Sequence, residues 1–181
     1  MQVGERGEET KGSERVVIKS GGGRVRLYCQ CQNICSRLTG VRLEQIRAIL
    51  ALVAEVTIKN KQKQVIWLKF PAQQLLLWDI LRKTGVDVGI HSSDVPQRER
   101  NELLDNFNQY HDHPMVLLCS ENMTGFGLNL QKKCHNNVLG DCPISRQTRD
   151  SLDGRLRRVG QQTDVLSYDI RMRRTFNERQ L

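Results

Sequence analysis

Short apolar segments alternate with longer amphipathic segments between residues 65 and 170, and this alternation restricts the possible folds more than any other feature of the chain. Residues 65–68 form an apolar run that is typical of a strand covered on both faces. A helix is predicted from Pro71 up to Gly85, because proline is well placed at a helix start. The same alternation predicts strands at residues 86–90, 115–119, 138–139 and 165–170, and helices at residues 96–108 and 144–158.

This order of elements predicts an α/β fold. Parallel neighbours in a sheet need crossover connections, and the crossovers pack on the faces of the sheet. We therefore predict a mostly parallel sheet with helices on both faces, in three layers. On the helix that begins at Pro71, one face is predicted to carry Leu75, Leu76, Ile80 and Leu81.

The segments that flank this region differ in character. Residues 1–40 are low in aromatics, contain the glycine run 21–23 and show no sustained period, so we predict disorder or a linker there. Apolar residues recur at helical spacing over residues 42–60, which predicts an amphipathic helix that leads into the domain. The predicted domain covers residues 41–172, and residues 173–181 form a tail.

Net charge and hydrophobic content limit the classes of partner that the chain is expected to bind. The chain has 181 residues, a net charge of +8 and 38% hydrophobic residues, which suits one core and a polyanionic partner. Nucleic acid is favoured over a membrane surface, since no basic amphipathic helix carries an aromatic apolar face. Residues 48–54 are the longest helix-compatible apolar run and are too short to cross a bilayer, so no membrane insertion is expected. Without an apolar secretory segment near Met1, the protein is expected to stay inside the cell.

The six cysteines do not form a standard zinc module. Residues 29, 31 and 35 could supply three ligands, with Cys134 or His135 as a fourth, but paired C-x2-C spacing is missing. We predict free thiols in a reducing compartment and no metal site. Residues 111–113 (His-Asp-His) are predicted to be a polar loop before Pro114.

Residues 154–161 read Gly-Arg-Leu-Arg-Arg-Val-Gly-Gln. On a helix Arg155 and Arg158 lie on the same side, while Arg157 points largely the other way. The planar guanidinium donates in a fork and keeps its proton, which suits a terminal phosphate. The alternative is a solvated basic helix face.

A glycine-containing turn directly follows the predicted strand at residues 115–119. Gly125 and Gly127 permit a tight turn and a close backbone approach, so this turn could contact phosphate or ribose. Ligands gather beyond the carboxyl ends of the strands in such sheets. The alternative is a turn that serves geometry alone.

Taken together, these segments resemble the C-terminal RecA-like lobe of superfamily 2 helicases, and within it the Swi/Snf chromatin-remodelling ATPases. The "GxGLNL" turn and the "GRxxRxGQ" segment carry most of the resemblance, which covers residues 42–170. Further matching segments are residues 65–70, 91–93, 96–100 and 107–108.

The resemblance implies a three-layer RecA-like fold and ATP-driven translocation along double-stranded DNA by two lobes that close over the nucleotide. It implies a nuclear protein whose first RecA-like lobe lies in the same longer polypeptide or in a separate chain. Arg155 and Arg158 match the family's arginine fingers. The expected nucleotide-binding residues are Gly125, Gly127, Asn129 and Gln161, and the expected DNA contacts are Lys69, Arg98, Arg100 and Ser120.

The chain also departs from the family pattern. It has neither a G-x4-G-K-[ST] loop nor an Asp-Glu pair after a strand, so ATP and Mg²⁺ are expected to bind only with a first lobe. Residues 141–146 lack the tryptophan and the Asn-Pro of the family's "DPxWNP" segment. Two alternatives stay open: a catalytically inactive helicase-lobe fragment that only binds nucleic acid or protein, and the equivalent lobe of an RNA helicase.

Overall fold

The computed structural model describes residues 17–21, 24–29, 43–122 and 128–172. The strands are β1 (Val17–Gly21), β2 (Arg24–Cys29), β3 (Gln64–Leu68), β4 (Val88–His91), β5 (Val116–Ser120), β6 (Asn136–Leu139) and β7 (Leu166–Met172). The helices are α1 (Leu43–Val53), α2 (Pro71–Lys83), α3 (Gln97–Gln109) and α4 (Arg146–Asp153). Helix α1 continues as a π-helical segment, Ala54–Lys59, so a helix leads into the domain as predicted.

The seven strands form one sheet in the order β1-β2-β7-β6-β3-β5-β4. Every neighbouring pair is parallel except β1 and β2, which are antiparallel. Strand β3 is central, and its Ile66 pairs with Leu118 of β5 and Val138 of β6. The predicted α/β fold with a mostly parallel sheet is therefore confirmed.

Two separate hydrophobic cores lie on the two faces of the sheet. Alternate residues of β3 divide between them: Ile66 and Leu68 belong to the first core, whereas Val65 and Trp67 belong to the second. Helices α1 and α2 supply apolar residues to the first core, and α3 and α4 supply apolar residues to the second. This division confirms the three-layer arrangement.

The buried face of α2 differs from the predicted one. Leu77 and Leu81 are buried, but Leu75 is 57% exposed, and the polar Gln73 and Gln74 are buried instead. Leu77 and Leu81 are four residues apart and so share one helical face, whereas Leu75, two residues from Leu77, points away from that face. Leu76 and Ile80 are partly buried against the first core and Leu81 belongs to it, so of the four predicted residues only Leu75 lies off the buried face.

Residues 1–40 contain structure that the sequence analysis missed. Strands β1 and β2 lie within this segment, and β2 pairs in parallel with β7, Arg24 opposite Ser167. The prediction of disorder or a linker is therefore wrong for these two strands. Residues 24–29 alternate polar and apolar side chains after the glycine run 21–23, which is the pattern of a hairpin. The rest of residues 1–40, and the predicted tail 173–181, lie outside the described residues.

Helix α4 is shorter than predicted. It begins after Ser145, whose hydroxyl accepts a hydrogen bond from the backbone N–H of Thr148 at 3.1 Å, and it ends at Asp153. Gly154 follows directly, so residues 154–158 form an irregular turn and not the last helical turn.

Candidate functional site

The predicted arginine segment is a turn fastened to the end of α4. The backbone carbonyl of Asp153 accepts hydrogen bonds from the N–H groups of Leu156 at 3.2 Å and Arg157 at 3.1 Å. Leu156 is fully buried in the second core, while Val159 is fully exposed. Arg158 is exposed and Arg155 is half-buried. One apolar anchor thus holds a turn that carries cationic side chains at the surface.

The structure brings three of the predicted site residues together. The Arg158 guanidinium donates through Nη1 to Oδ1 of Asn129 and through Nε to the backbone carbonyl of Gly154, the latter at 3.2 Å. The backbone N–H of Leu130 donates to the carbonyl of Arg155 at 3.2 Å. Residues 129–130, which end the predicted glycine turn, therefore lie directly beside the arginine segment. Gly125 and Gly127 lie outside the described residues.

Arg155 and Arg158 are close enough to repel one another. Burial lowers the pKa of Arg155 from its ordinary value, and the charge of Arg158 lowers it further. Arginine nevertheless stays protonated at neutral pH, because its ordinary pKa lies so high. The pair therefore concentrates positive charge at one place on the surface.

The amide of Gln161 is used within the turn. Its Nε2 donates to the carbonyls of Cys134 at 2.9 Å and Leu156 at 3.4 Å, and its Oε1 accepts from the N–H groups of Gln162 at 3.1 Å and Thr163 at 3.3 Å. Gly160, just before it, has a φ of 98°, which favours glycine. Gln161 thus fastens the turn to the segment before β6, and its binding to nucleotide stays a prediction.

A buried polar network lies beneath the arginine segment, and the sequence analysis did not find it. The indole N–H of Trp67 donates to Oδ1 of Asn137 at 2.7 Å, and Nδ2 of Asn137 donates to Oδ1 of Asp153 at 2.7 Å. The hydroxyl of Ser167 donates to the same carboxylate oxygen at 2.7 Å. The sequence gives no clear signal of this network, because Asp153 is the second of two aspartates on a helix that also carries two arginines.

The predicted DNA contacts fall along one edge of the sheet. Lys69 follows β3, Ser120 ends β5, and Arg98 is the second residue of α3, the helix that follows β4. These three strands are parallel neighbours, so their carboxyl ends meet at the same edge. Arg98 is exposed and Lys69 is half-buried, while Ser120 is only 8% exposed.

Arg100 is held inside the protein and is not presented at the surface. Its side chain is 9% exposed, and its guanidinium donates to the carbonyl of Ser92 at 3.2 Å and to Oε1 of Gln97. These bonds fasten the start of α3 to the loop after β4. The sequence pattern could not show that Arg98 is exposed and Arg100 is buried, because their burial depends on how α3 is rotated against the sheet.

Buried charges lie at the same carboxyl-terminal edge. Asp141 accepts hydrogen bonds from the Lys69 backbone N–H and from Nε2 of Gln45, both at 2.9 Å. Glu121 is 5% exposed, and burial raises its pKa to about 7; the charge of Asp141 raises it further and Lys69 opposes the rise. This carboxyl group therefore titrates near neutral pH.

A second buried ion group adjoins the first one. Asp169 pairs with Arg149 and with Arg171, the latter bond being 2.8 Å long from Nε to Oδ2. All three side chains are buried. Arg149 faces inward, and its charge is used to satisfy Asp169.

Three cysteine thiols are buried among the described residues, and two histidine side chains contact neighbouring charged groups. Cys119, Cys134 and Cys142 are buried free thiols, and burial raises the pKa of Cys134 to about 12. His113 pairs with Asp87, and Nε2 of His111 lies 2.8 Å from Nζ of Lys133. Within residues 17–21, 24–29, 43–122 and 128–172, no three His, Cys, Asp or Glu residues are grouped so that they could hold a metal ion. No helix in this part of the chain combines the length and apolar character needed to cross a membrane.

The described residues have a three-layer, RecA-like α/β fold that solved structures share. One of these is the C-terminal part of the Fun30 ATPase domain, with a TM-score of 0.68 and 21% sequence identity. The match covers 75% of this chain and 43% of that chain, so this chain spans less than half the length of the Fun30 structure. No family model matches the sequence, and no curated protein matches it either.

Proposed function

We propose that the chain is the second lobe of an ATP-dependent DNA translocase of the chromatin-remodelling type. In this proposal Arg155 and Arg158 are arginine fingers, and they act on a nucleotide whose other contacts come from a first RecA-like lobe. Localisation in the nucleus belongs to the same proposal. The fold supports it, because the likeness is to the C-terminal part of an ATPase domain.

The observation that carries the proposal is the mutual approach of the two arginines beside Asn129. The charge of Arg158 lowers the pKa of Arg155, and Arg158 donates directly to the Asn129 side chain. Two guanidinium groups at short range offer forked donors to the oxygens of a phosphate group. Positive groups placed where negative charge develops stabilise the transition state of phosphoryl transfer, which is worth roughly 10³ to 10⁵ in rate in other enzymes.

The residues present fit the polyphosphate of ATP but supply only half of a nucleotide site. Arg155, Arg158 and the amide of Asn129 would hold the phosphates, together with Gly125 and Gly127 of the preceding turn. ATP and Mg²⁺ would supply the cleavable phosphate bond and its charge neutralisation when bound with the first lobe. The role of this chain is to orient positive charge, and Gln161 keeps the turn in place.

Double-stranded DNA is the proposed nucleic-acid partner. Lys69 and Arg98 lie at the carboxyl-terminal edge and would contact phosphates, with Ser120 between them in the strand order. Arg100 would contribute indirectly, since it holds the loop after β4 through Ser92. Phosphate contacts of this kind give affinity that falls as salt rises.

The test combines the 181-residue chain with a separately expressed first lobe and measures DNA-stimulated ATP hydrolysis. The wild-type pair is expected to hydrolyse ATP, and Arg158→Ala or Arg155→Ala is expected to lower the rate about 10³-fold. Arg157→Ala is the matched control, because Arg157 is an exposed arginine of the same turn that donates to the Val165 carbonyl at 3.3 Å. This control alters the charge of the turn equally, but Arg157 contacts the Val165 carbonyl and not Asn129, so we expect it to change the rate less than about threefold.

Each result separates one alternative. Equal losses for Arg157→Ala and Arg158→Ala would reduce the finger assignment to a general charge effect. Absence of hydrolysis with any first lobe, together with salt-sensitive DNA binding, would point to an inactive binding module. Competition by RNA that matches competition by double-stranded DNA would favour the lobe of an RNA helicase.

A further inference from the structure

We propose that Asp153 is a positioning residue for the two arginines, acting through the buried network that joins it to the sheet. This inference rests on the proposed function, in which Arg155 and Arg158 bind nucleotide phosphate. Asp153 lies two residues before Arg155 and is 4% exposed.

Hydrogen bonds connect the Asp153 carboxylate, directly or through Asn137, to side chains on three adjacent parallel strands. Ser167 lies on β7, Asn137 on β6 and Trp67 on β3, and these strands are consecutive in the sheet. Asn137 is in register with Ser167, so the two donors to Asp153 stand side by side. Trp67, fully buried, fixes the orientation of the Asn137 amide by donating to its oxygen. The position of the carboxylate is therefore set by side chains of three paired strands.

The backbone of Asp153 transmits that position to the turn. Its carbonyl accepts from the N–H groups of Leu156 and Arg157, so the residues around both arginines are fixed relative to it. Helix α4 has only eight residues, about 12 Å of length, and so has little rigidity of its own. Leu152 and Leu156, before and after Asp153 in the chain, are buried in the second core and fix how closely the segment packs on the sheet. The hydrogen bonds of Asp153 are directional and fix how the segment is rotated about its own axis.

Charge and position predict opposite effects on anion binding. A carboxylate next to two arginines opposes the approach of a phosphate, so its neutralisation would strengthen anion binding if charge alone mattered. A positioning role predicts weaker anion binding when residue 153 is neutral. An amide oxygen at residue 153 would accept weaker hydrogen bonds from Asn137 and Ser167 than the charged carboxylate does, so the turn would be held less firmly. Whether the affinity for the anion rises or falls therefore distinguishes an effect of charge from an effect of position.

The experiment titrates the full 181-residue chain with inorganic tripolyphosphate and follows the side-chain Nε–Hε signals of Arg155 and Arg158 by NMR. Asp153→Asn is compared with Asp150→Asn, an exposed acid on the same helix whose replacement alters the net charge equally. We expect Asp150→Asn to leave affinity unchanged or slightly stronger, and Asp153→Asn to weaken it about tenfold. The unbound arginine signals should also move in Asp153→Asn and stay in place in Asp150→Asn.

Ser167→Ala gives a second variant in case Asp153→Asn does not fold. It keeps the carboxylate and the Asn137 bond but removes one donor, and we expect a roughly threefold loss of affinity. Binding by both network variants at least as tight as in Asp150→Asn would overturn the positioning role while leaving the arginine site intact. A wild-type chain whose arginine signals do not respond to tripolyphosphate would overturn the proposed function and this inference together.

Discussion

The contribution of Glu121 to stability should fall as the pH rises from about 4.5 to about 7. Its pKa is about 7 in the folded protein, against an ordinary value of 4.5, mainly because the carboxyl is buried. The folded state therefore binds this proton more tightly than the unfolded state, and the contribution of Glu121 to the unfolding free energy is highest below pH 4.5 and declines until about pH 7. Above that range both states are ionised and this contribution stays constant.

The size of the effect follows from the two pKa values. Each tenfold change in proton affinity corresponds to about 1.4 kcal/mol, so a rise from 4.5 to about 7 amounts to roughly 3 kcal/mol. That is a large share of the 5–15 kcal/mol typical of a whole domain. Glu121→Gln cannot ionise, so it should be more stable than wild type at pH 8 by up to roughly that amount, and at pH 5 by only about 1 kcal/mol.

Urea unfolding followed by tryptophan fluorescence at pH 5, 6, 7 and 8 measures this difference. Glu102→Gln is the matched control, since Glu102 is an exposed glutamate on α3. The control should keep the wild-type dependence on pH, whereas Glu121→Gln should flatten it between pH 5 and 7. If wild type and Glu121→Gln keep parallel curves over this range, the assignment of the slope to Glu121 is refuted.

Two further predictions concern stability. Gly140→Ala should lower the unfolding free energy by about 1–3 kcal/mol, because the added Cβ would lie 2.7 Å from Cδ2 of Leu68 and 2.9 Å from the Trp67 carbonyl; thermal unfolding measures it, and a melting temperature equal to that of wild type would contradict the close packing at this site. Ser145→Ala should cost about 1 kcal/mol by removing the cap of α4, whereas Ser145→Asp should retain most of the stability; equal losses in both variants would show that the cap does not carry the effect.

The sheet and its layers could be predicted because they depend on local patterns. Residues 65–68 form a short apolar run, which predicts a strand buried on both faces whatever strands it pairs with. Arg155, Arg158 and Asn129 could likewise be selected from short segments, and the structure places them together. What they bind stays a prediction.

The features that were missed depend on contacts between distant segments. The Asp153 carboxylate is held by hydrogen bonds from Asn137 and Ser167, which are 16 and 14 residues away and lie on different strands. Nothing in the spacing of these residues reveals that their side chains meet, because their meeting depends on strand order and register. The buried positions of Arg100 and Gln73 have the same origin, since burial of a polar side chain is decided by helix rotation.

The antiparallel pairing of β1 with β2 has a practical consequence for handling the protein. Val17 is in register with Tyr28, and Tyr28 with Arg171, so β1 starts in the row of the sheet where β7 finishes. Val17 and Met172 therefore both lie at the edge of the sheet that carries Lys69 and Ser120. A fluorophore attached near the exposed Lys61, ahead of β3, would emerge at the opposite edge, away from those residues.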